Sequence, residues 1–188
     1  MASPRIIAGS AKGIRLKSVP GIITRPITDR VKEALFNIIG PDVINSKWLD
    51  LFAGTGSVGL EALSRGAEFV RFVEINHSVV RVLKENIIKC GFDSKSDLMK
   101  TDAHRYISNP QDYCFDYVFI APPQYKEIWA KILFSLDTNI THLENNAWLI
   151  VQIDPLELNQ IVLKNFSLVD KRKYGNTLLL FFELISKK

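Results

Sequence analysis

A chain of 188 residues, 47% hydrophobic and 23% charged, has room for one full-sized domain with its own core, and that balance excludes a disordered or fibrous protein. No apolar run approaches the roughly 20 residues of a membrane span, and the opening MASPRIIAGSAKGIR lacks the apolar centre of a signal peptide, so the expectation is a cytoplasmic protein. The net charge of +4 is modest but uneven: Arg5, Lys12, Arg15, Lys17, Arg25, Arg30 and Lys32 face only Asp29 within the first 32 residues, which fits either a nucleic-acid contact or a solvated surface. Cys90 and Cys114 lack metal spacing and read as small core residues, with neither a disulfide framework nor a bound metal expected.

In chain order, RIIAGSAKGIRLKSVPG alternates apolar and polar residues around glycines and predicts a short twisted hairpin. Residues 1–27 therefore read as a basic extension and 28–188 as the main domain. Thr28 is placed to cap a helix in which Val31, Ala34, Leu35, Ile38 and Ile39 recur at helical spacing, ended by Gly40-Pro41. From Lys47 onward, short apolar runs alternate with helical patterns: WLDLF, VGLEALSRG, FVRFVE, NHSVVRVLKENIIKCG, DLMKT, DAHRYI, DYVFI, KEIWAKILFSL, AWLIVQI, PLELNQIVL and TLLLFFELI. This strand-helix alternation predicts an α/β fold, a mostly parallel sheet with helices on both faces. YGNT, Tyr174 to Thr177, predicts a tight turn between two antiparallel edge strands. Trp48, Trp129 and Trp148 read as core, and His77, His104 and His142 as surface or helix-start residues.

The stretch WLDLFAGTGSVGLEAL sets Gly54, Gly56 and Gly59 in a G-x-G-x-x-G arrangement between a strand and a helix, where the backbone can approach a ligand and unpaired N–H groups are on offer. Glu74, at the end of the next strand, is placed to accept hydrogen bonds from both hydroxyls of a ribose. A dinucleotide-dependent oxidoreductase uses the same two devices. Three features favour S-adenosylmethionine instead. Asp50, four residues before Gly54, is placed to order the loop and meet an ammonium group. Asp102, after the third strand, is placed to accept from an adenine amino group. The fourth strand ends in Pro122-Pro123, which has no role in hydride transfer. The structural alternatives are that Asp50 caps a turn and that Asp102 caps the helix of AHRYI.

The combination of RIIAGSAKGIRL, TRPITDRVKEALFNII, LDLFAGTGSVGLEALSRGA and YGNTLLLF resembles the bacterial small-subunit ribosomal RNA guanine-N2 methyltransferases of the RsmD type, over nearly the whole chain. The resemblance implies a Rossmann-like methyltransferase fold with a seven-stranded sheet and S-adenosylmethionine as cofactor. It would be held by Asp50, Phe52, Ala53, Gly54, Gly56, Glu74, Asp102 and Ala103. It implies methylation of the exocyclic N2 of a guanine in small-subunit RNA, free or within an assembling 30S particle, by a monomer. Arg5, Lys12, Arg15, Arg25 and Arg30 would meet phosphates over the catalytic face, or Arg25 and Arg30 would pair with Asp29 or Glu33. Phe36 and Asn37 would close the pocket, or Phe36 would be core.

In that family the fourth strand ends in an acidic or amide residue, two prolines and an aromatic residue. Here the matching residues are Ala121-Pro122-Pro123-Gln124, with Tyr125 one position later. The catalytic set is then Pro122, Pro123, Gln124 and Tyr125. The Pro122 carbonyl and the Gln124 amide would accept from the target amino group, proline would fix the approach of the chain, and Tyr125 would stack on the flipped base. Ala121 has no acceptor. Three outcomes remain open: a rearranged but active site, a different target, or a cofactor-binding protein that serves as an RNA-binding or assembly factor.

Overall fold

In the computed structural model the described residues are 3–19, 27–109 and 113–185; Arg25 lies outside them. Helix α1 (Asp29–Ile39) is followed by β1 (Lys47–Asp50), α2 (Ser57–Ser64), β2 (Phe69–Val73), α3 (His77–Cys90), β3 (Ser96–Met99) and α4 (Ala103–Ile107). The second half is β4 (Phe115–Ile120), α5 (Ile128–Thr138), β5 (Leu143–Ile153), β6 (Phe166–Tyr174) and β7 (Thr177–Leu184). Local chemistry sets the ends. The Thr28 hydroxyl accepts from Val31 N–H at 3.3 Å, and the Asn76 side chain accepts from Ser78 N–H at 2.9 Å. Gly91 closes α3 in the left-handed region at φ 72, where glycine carries no Cβ penalty.

The strands form one seven-stranded sheet in the order β3-β2-β1-β4-β5-β7-β6. β1 to β5 pair in parallel, while β7 runs antiparallel to both β5 and β6. Two apolar clusters cover the two faces. Val31, Leu35, Phe36, Leu60, Leu83 and Ile150 belong to one, and Leu49, Val118, Trp129, Leu133 and Leu180 to the other. Trp48 and Trp129 are core, as expected; Trp148 is only partly buried.

Four readings need correction. The Tyr174–Thr177 turn is present, with φ 58 at Gly175, but β7 is inserted between β5 and β6, so of the two strands it joins β6 alone lies at an edge. PLELNQIVL does not form a helix beyond the single 3-10 turn Pro155–Glu157. From Ile161 to Asn165 half-buried and exposed residues alternate, and Ile161 and Leu163 pack on the core, with no helix formed before β6 begins at Phe166. His142 is buried, its Nε2 at 2.8 Å from the Ile107 carbonyl. Both cysteines are half-buried thiols rather than full core residues.

The N-terminal hairpin is present: Arg5 and Arg15 bridge in antiparallel fashion, with Ile6 N–H donating to Ile14 at 2.9 Å and Leu16 N–H to Pro4 at 2.7 Å. Its Ile6, Ala11 and Leu16 enter the first core cluster. It is docked on α2 through a buried polar cluster. Glu61 accepts from Ile7 N–H at 2.8 Å and Ala8 N–H at 3.0 Å, and Lys32 donates to the Arg5 carbonyl at 2.5 Å. Among the described residues no helix is long and apolar enough to cross a membrane.

Candidate active site

Two loops meet where the strand order reverses. The chain leaves β1 toward β2 on one side and returns to β4 on the other, and ligands of open α/β sheets bind in the crevice at such a point, beyond the carboxyl ends of the strands. The loop after β1 and the Ala121–Pro123 segment after β4 flank that crevice. The strands stay joined into their loops: Leu51 N–H donates to Phe119 at 3.0 Å and Ala53 N–H to Val73 at 3.0 Å.

Asp50 closes β1 at 2% exposure. Its Oδ2 accepts from Gly59 N–H at 3.3 Å, which ties strand to helix across the glycine loop; Oδ1 is buried without a hydrogen-bond partner. Burial pushes this carboxyl up to about 7, against the N–H groups of Gly59 and Phe52, with the nearby Glu74 charge adding to the rise. Gly54 N–H donates to Glu74 Oε2 at 3.1 Å and Asn76 N–H to Glu74 Oε1 at 2.8 Å. Each Glu74 oxygen therefore keeps a lone pair for a ligand. Gly56 precedes α2 at φ 82, Phe52 is half-buried and Ala53 buried at the same turn.

Asp102 does cap α4, its Oδ1 accepting from Arg105 N–H at 3.0 Å; it remains exposed beside the buried Ala103, with Oδ2 available. Gly59 shows why the motif needs its third glycine. A Cβ there would overlap the Phe72 ring and Val70 on β2. Alanine normally favours a helix over glycine, but Gly59→Ala is expected to lower stability by about 1–3 kcal/mol through overpacking, read as a lower urea midpoint with unchanged slope.

Beyond β4, Pro122 is buried and Pro123 exposed. Tyr125 stands at φ 60, a region bulky residues rarely adopt. It is held there from both ends: its N–H donates to Glu157 Oε1 at 2.7 Å and its hydroxyl to Asp154 Oδ2 at 3.1 Å. The turn carrying Gln124 is thereby clamped to the segment after β5.

Among the described residues, the N-terminal basic side chains are not all free at one surface. Lys32 is fully buried against Glu61 at 3.2 Å, Arg5 pairs with Asp29 at 2.7 Å and Lys17 with Glu85 at 2.5 Å. Lys12 lies in the hairpin tip, which bonds to Ser64 at the end of α2 farthest from the glycine loop. Arg15 and Arg30 are exposed. Phe36 is core, 5.5 Å from the Trp48 ring centre, rather than a pocket lid.

Sequence reasoning missed Gln152. It follows Val151, the residue paired with Ile120, so it stands level with Ala121 on the same face of the sheet. It is 9% exposed and its Oε1 has no hydrogen-bond partner. The sequence signal was a carboxamide near the end of the otherwise apolar AWLIVQI.

An antiparallel β7 inserted between β5 and β6 separates this sheet from the dinucleotide fold, whose strands run in the order 3-2-1-4-5-6. With the Asp50 loop and Glu74 at the switch point, it defines the class: a Rossmann-like, S-adenosylmethionine-dependent methyltransferase. Residues 4–183 match the family described as Conserved hypothetical protein 95, and the chain belongs to that family. "Putative rRNA methyltransferase YlbH" of Bacillus subtilis is 37% identical over 92% of this chain and 95% of its own length. Ribosomal RNA small subunit methyltransferase D of Haemophilus influenzae is 35% identical over 91% and 89%. The solved structure of "Putative methyltransferase yhhF" from Escherichia coli superposes with a TM-score of 0.86 at 27% identity, covering 97% of this chain and 98% of that one.

Proposed function

We propose that this chain methylates the exocyclic N2 of a guanine in small-subunit ribosomal RNA, as a cytoplasmic monomer acting on the free RNA or an assembling particle. The observation that carries the reading is the pairing, at one switch point, of the Asp50 loop with a proline turn beside an unsatisfied carboxamide. Two relatives above 30% identity whose names specify ribosomal RNA methylation support the substrate class.

The residues fit the cofactor. Asp50 keeps a buried, unpartnered oxygen, the acceptor a cationic amino group requires; Glu74 would take the ribose hydroxyls and Asp102 the adenine amino group, beside Phe52, Ala53, Gly54, Gly56 and Ala103. Bound S-adenosylmethionine supplies a methyl group already activated by its sulfonium. The protein's task is then orientation. A guanine amino group is conjugated with its ring, so its N–H hydrogens must be held while the nitrogen faces the methyl. The Pro122 carbonyl, Gln124 and Gln152 are the acceptors, Gln152 occupying the level where Ala121 offers none. Pro123 keeps the chain extended, and Tyr125, clamped by Asp154 and Glu157, presents its ring to the extruded base. Residues 1–27 act as a basic extension, with Arg5, Arg15 and Arg25, joined by Arg30 of α1, contacting phosphates and Lys12 reaching RNA beyond the catalytic face.

The test is transfer of labelled methyl to small-subunit RNA, free and partly assembled, with the product nucleoside identified. Gln152→Leu is expected to lower kcat roughly 100-fold with unchanged cofactor affinity and equal or higher stability, since a buried unpaired amide is removed. Ala121→Asn in that background is expected to restore part of the rate. Label on another atom would refute guanine N2, and no label despite cofactor binding would refute catalysis.

A further inference from the structure

At the end of the sheet opposite the glycine loop, the segment before β1 and the early residues of β4 and β5 enclose a cavity of about 400 Å³, within the range of small-ligand sites. One wall is part of a single row of the sheet, Tyr117, Trp148 and Glu183, with the buried Trp48 behind it. Trp48 pairs with Tyr117, Tyr117 with Trp148, and Trp148 with Glu183, so these four side chains share a face. The rings pack in series, Trp48 on Tyr117 with centres 4.7 Å apart and Tyr117 edge-on to Trp148 at 6.4 Å.

Asp42 and Asp116 line the same cavity as Glu183, and no lysine or arginine does. Asp116 Oδ2 accepts from Lys47 N–H at 2.7 Å. Among the described residues none of the three carboxylates forms an ion pair, in a protein whose net charge is +4. They do not converge as a metal-binding group.

The independent observation is Tyr117. It is nine-tenths buried, lines the cavity, and its hydroxyl makes no hydrogen bond. Burial first, and then the Asp42 and Asp116 charges, push this phenol up to about 12. The hydroxyl therefore stays neutral, while the Asp42 and Asp116 carboxylates, which line the cavity with Glu183, are the groups that attract a cation.

We propose that this cavity binds a guanidinium group, carried by an arginine side chain of a basic protein or by a free alkylguanidine. A compact ammonium would satisfy one carboxylate at a time. A guanidinium is planar, presents donors in several directions to spaced acceptors, and packs against aromatic rings while sparing hydration. Asp42, Asp116 and Glu183 would accept its N–H groups, the Tyr117 oxygen would accept one more, and Trp148 would offer its ring. The site is separate from the methyl-transfer crevice and does not depend on that reading.

The experiment is an NMR titration of the full chain, following the tryptophan indole N–H signals. The probes are a capped arginine-containing tripeptide, agmatine, and the matching lysine peptide. Saturable movement of the Trp148 signal is expected with a Kd on the order of 1 mM or tighter, weakened about tenfold or more in Asp42→Asn/Glu183→Gln and absent or weaker with the lysine peptide. Tighter binding of the arginine peptide than of agmatine identifies a protein side chain as the source, and the reverse a free guanidine. The proposal is overturned if neither guanidinium probe gives a saturable shift, if the double variant with an otherwise unchanged spectrum binds equally well, or if lysine matches arginine.

Discussion

Replacing Asp50 by Asn weakens S-adenosylmethionine binding by roughly 10- to 100-fold, the loss of a hydrogen bond to a charged group, while the unliganded protein at pH 8 keeps or gains stability. The carboxyl is 2% exposed, and its ionisation sits at about 7 chiefly because burial disfavours the charge. Between the ordinary carboxylate range and about pH 7, the folded state therefore holds a proton that the unfolded state has released. Stability from this group is present at low pH and is lost as pH rises through about 7. Asn keeps an acceptor for Gly59 N–H but has no charge to bury, so its contribution to the pH dependence disappears. Cofactor binding runs the other way. A cationic amino group favours the carboxylate, so affinity in the parent rises with pH across the same window, and in Asp50→Asn it is flat. Calorimetric titration and thermal melts from pH 5 to 8 measure both. A variant that binds as well as the parent would remove Asp50 from the cofactor site.

Which parts of the molecule were legible in sequence follows from how far along the chain the deciding partners lie. The β1–α2–β2–α3 run was readable because periodicity, capping residues and glycines act locally: Asn76 and Gly91 mark the two ends of α3 as chemistry requires. What depended on partners distant in the chain was not. Nothing local separates an edge β7 from an inserted one, and the apolar residues of PLELNQIVL suit a helix until Ile161 and Leu163 are seen to alternate onto the core. The same applies to charge. Lys32 counted toward a basic RNA-binding surface, yet it is buried against a glutamate 29 positions away. The positions of Asp50, the last residue of β1, and of Glu74, directly after β2, were legible because the period of each strand is clear. Gln152 was not, because its meaning comes from standing level with Ala121 on a neighbouring strand.

The Lys32–Glu61 pair should give the largest stability loss from a single substitution. Both side chains are fully buried. Glu61 also accepts from Arg65 Nε at 2.8 Å and from the backbone N–H groups of Ile7 and Ala8, so it is the centre of the hairpin's attachment to α2. Burial lowers the Lys32 pKa, with Glu61 opposing that shift; the ammonium depends on its partner. Glu61→Ala strands a buried cation and two backbone donors together, and is expected to cost about 3–5 kcal/mol or more. Lys32→Met should cost less, because Arg65 and both N–H groups continue to satisfy the carboxylate. Because the backbone donors have no other acceptor, Lys32→Met/Glu61→Leu should not recover the parent's stability, unlike a simple buried ion pair replaced by apolar groups. Urea unfolding ranks the three variants, and hydrogen exchange at the Ile7 and Ala8 amides locates the damage. Full recovery in the double variant would mean that the ion pair, and not the hairpin's backbone, is what Glu61 supports.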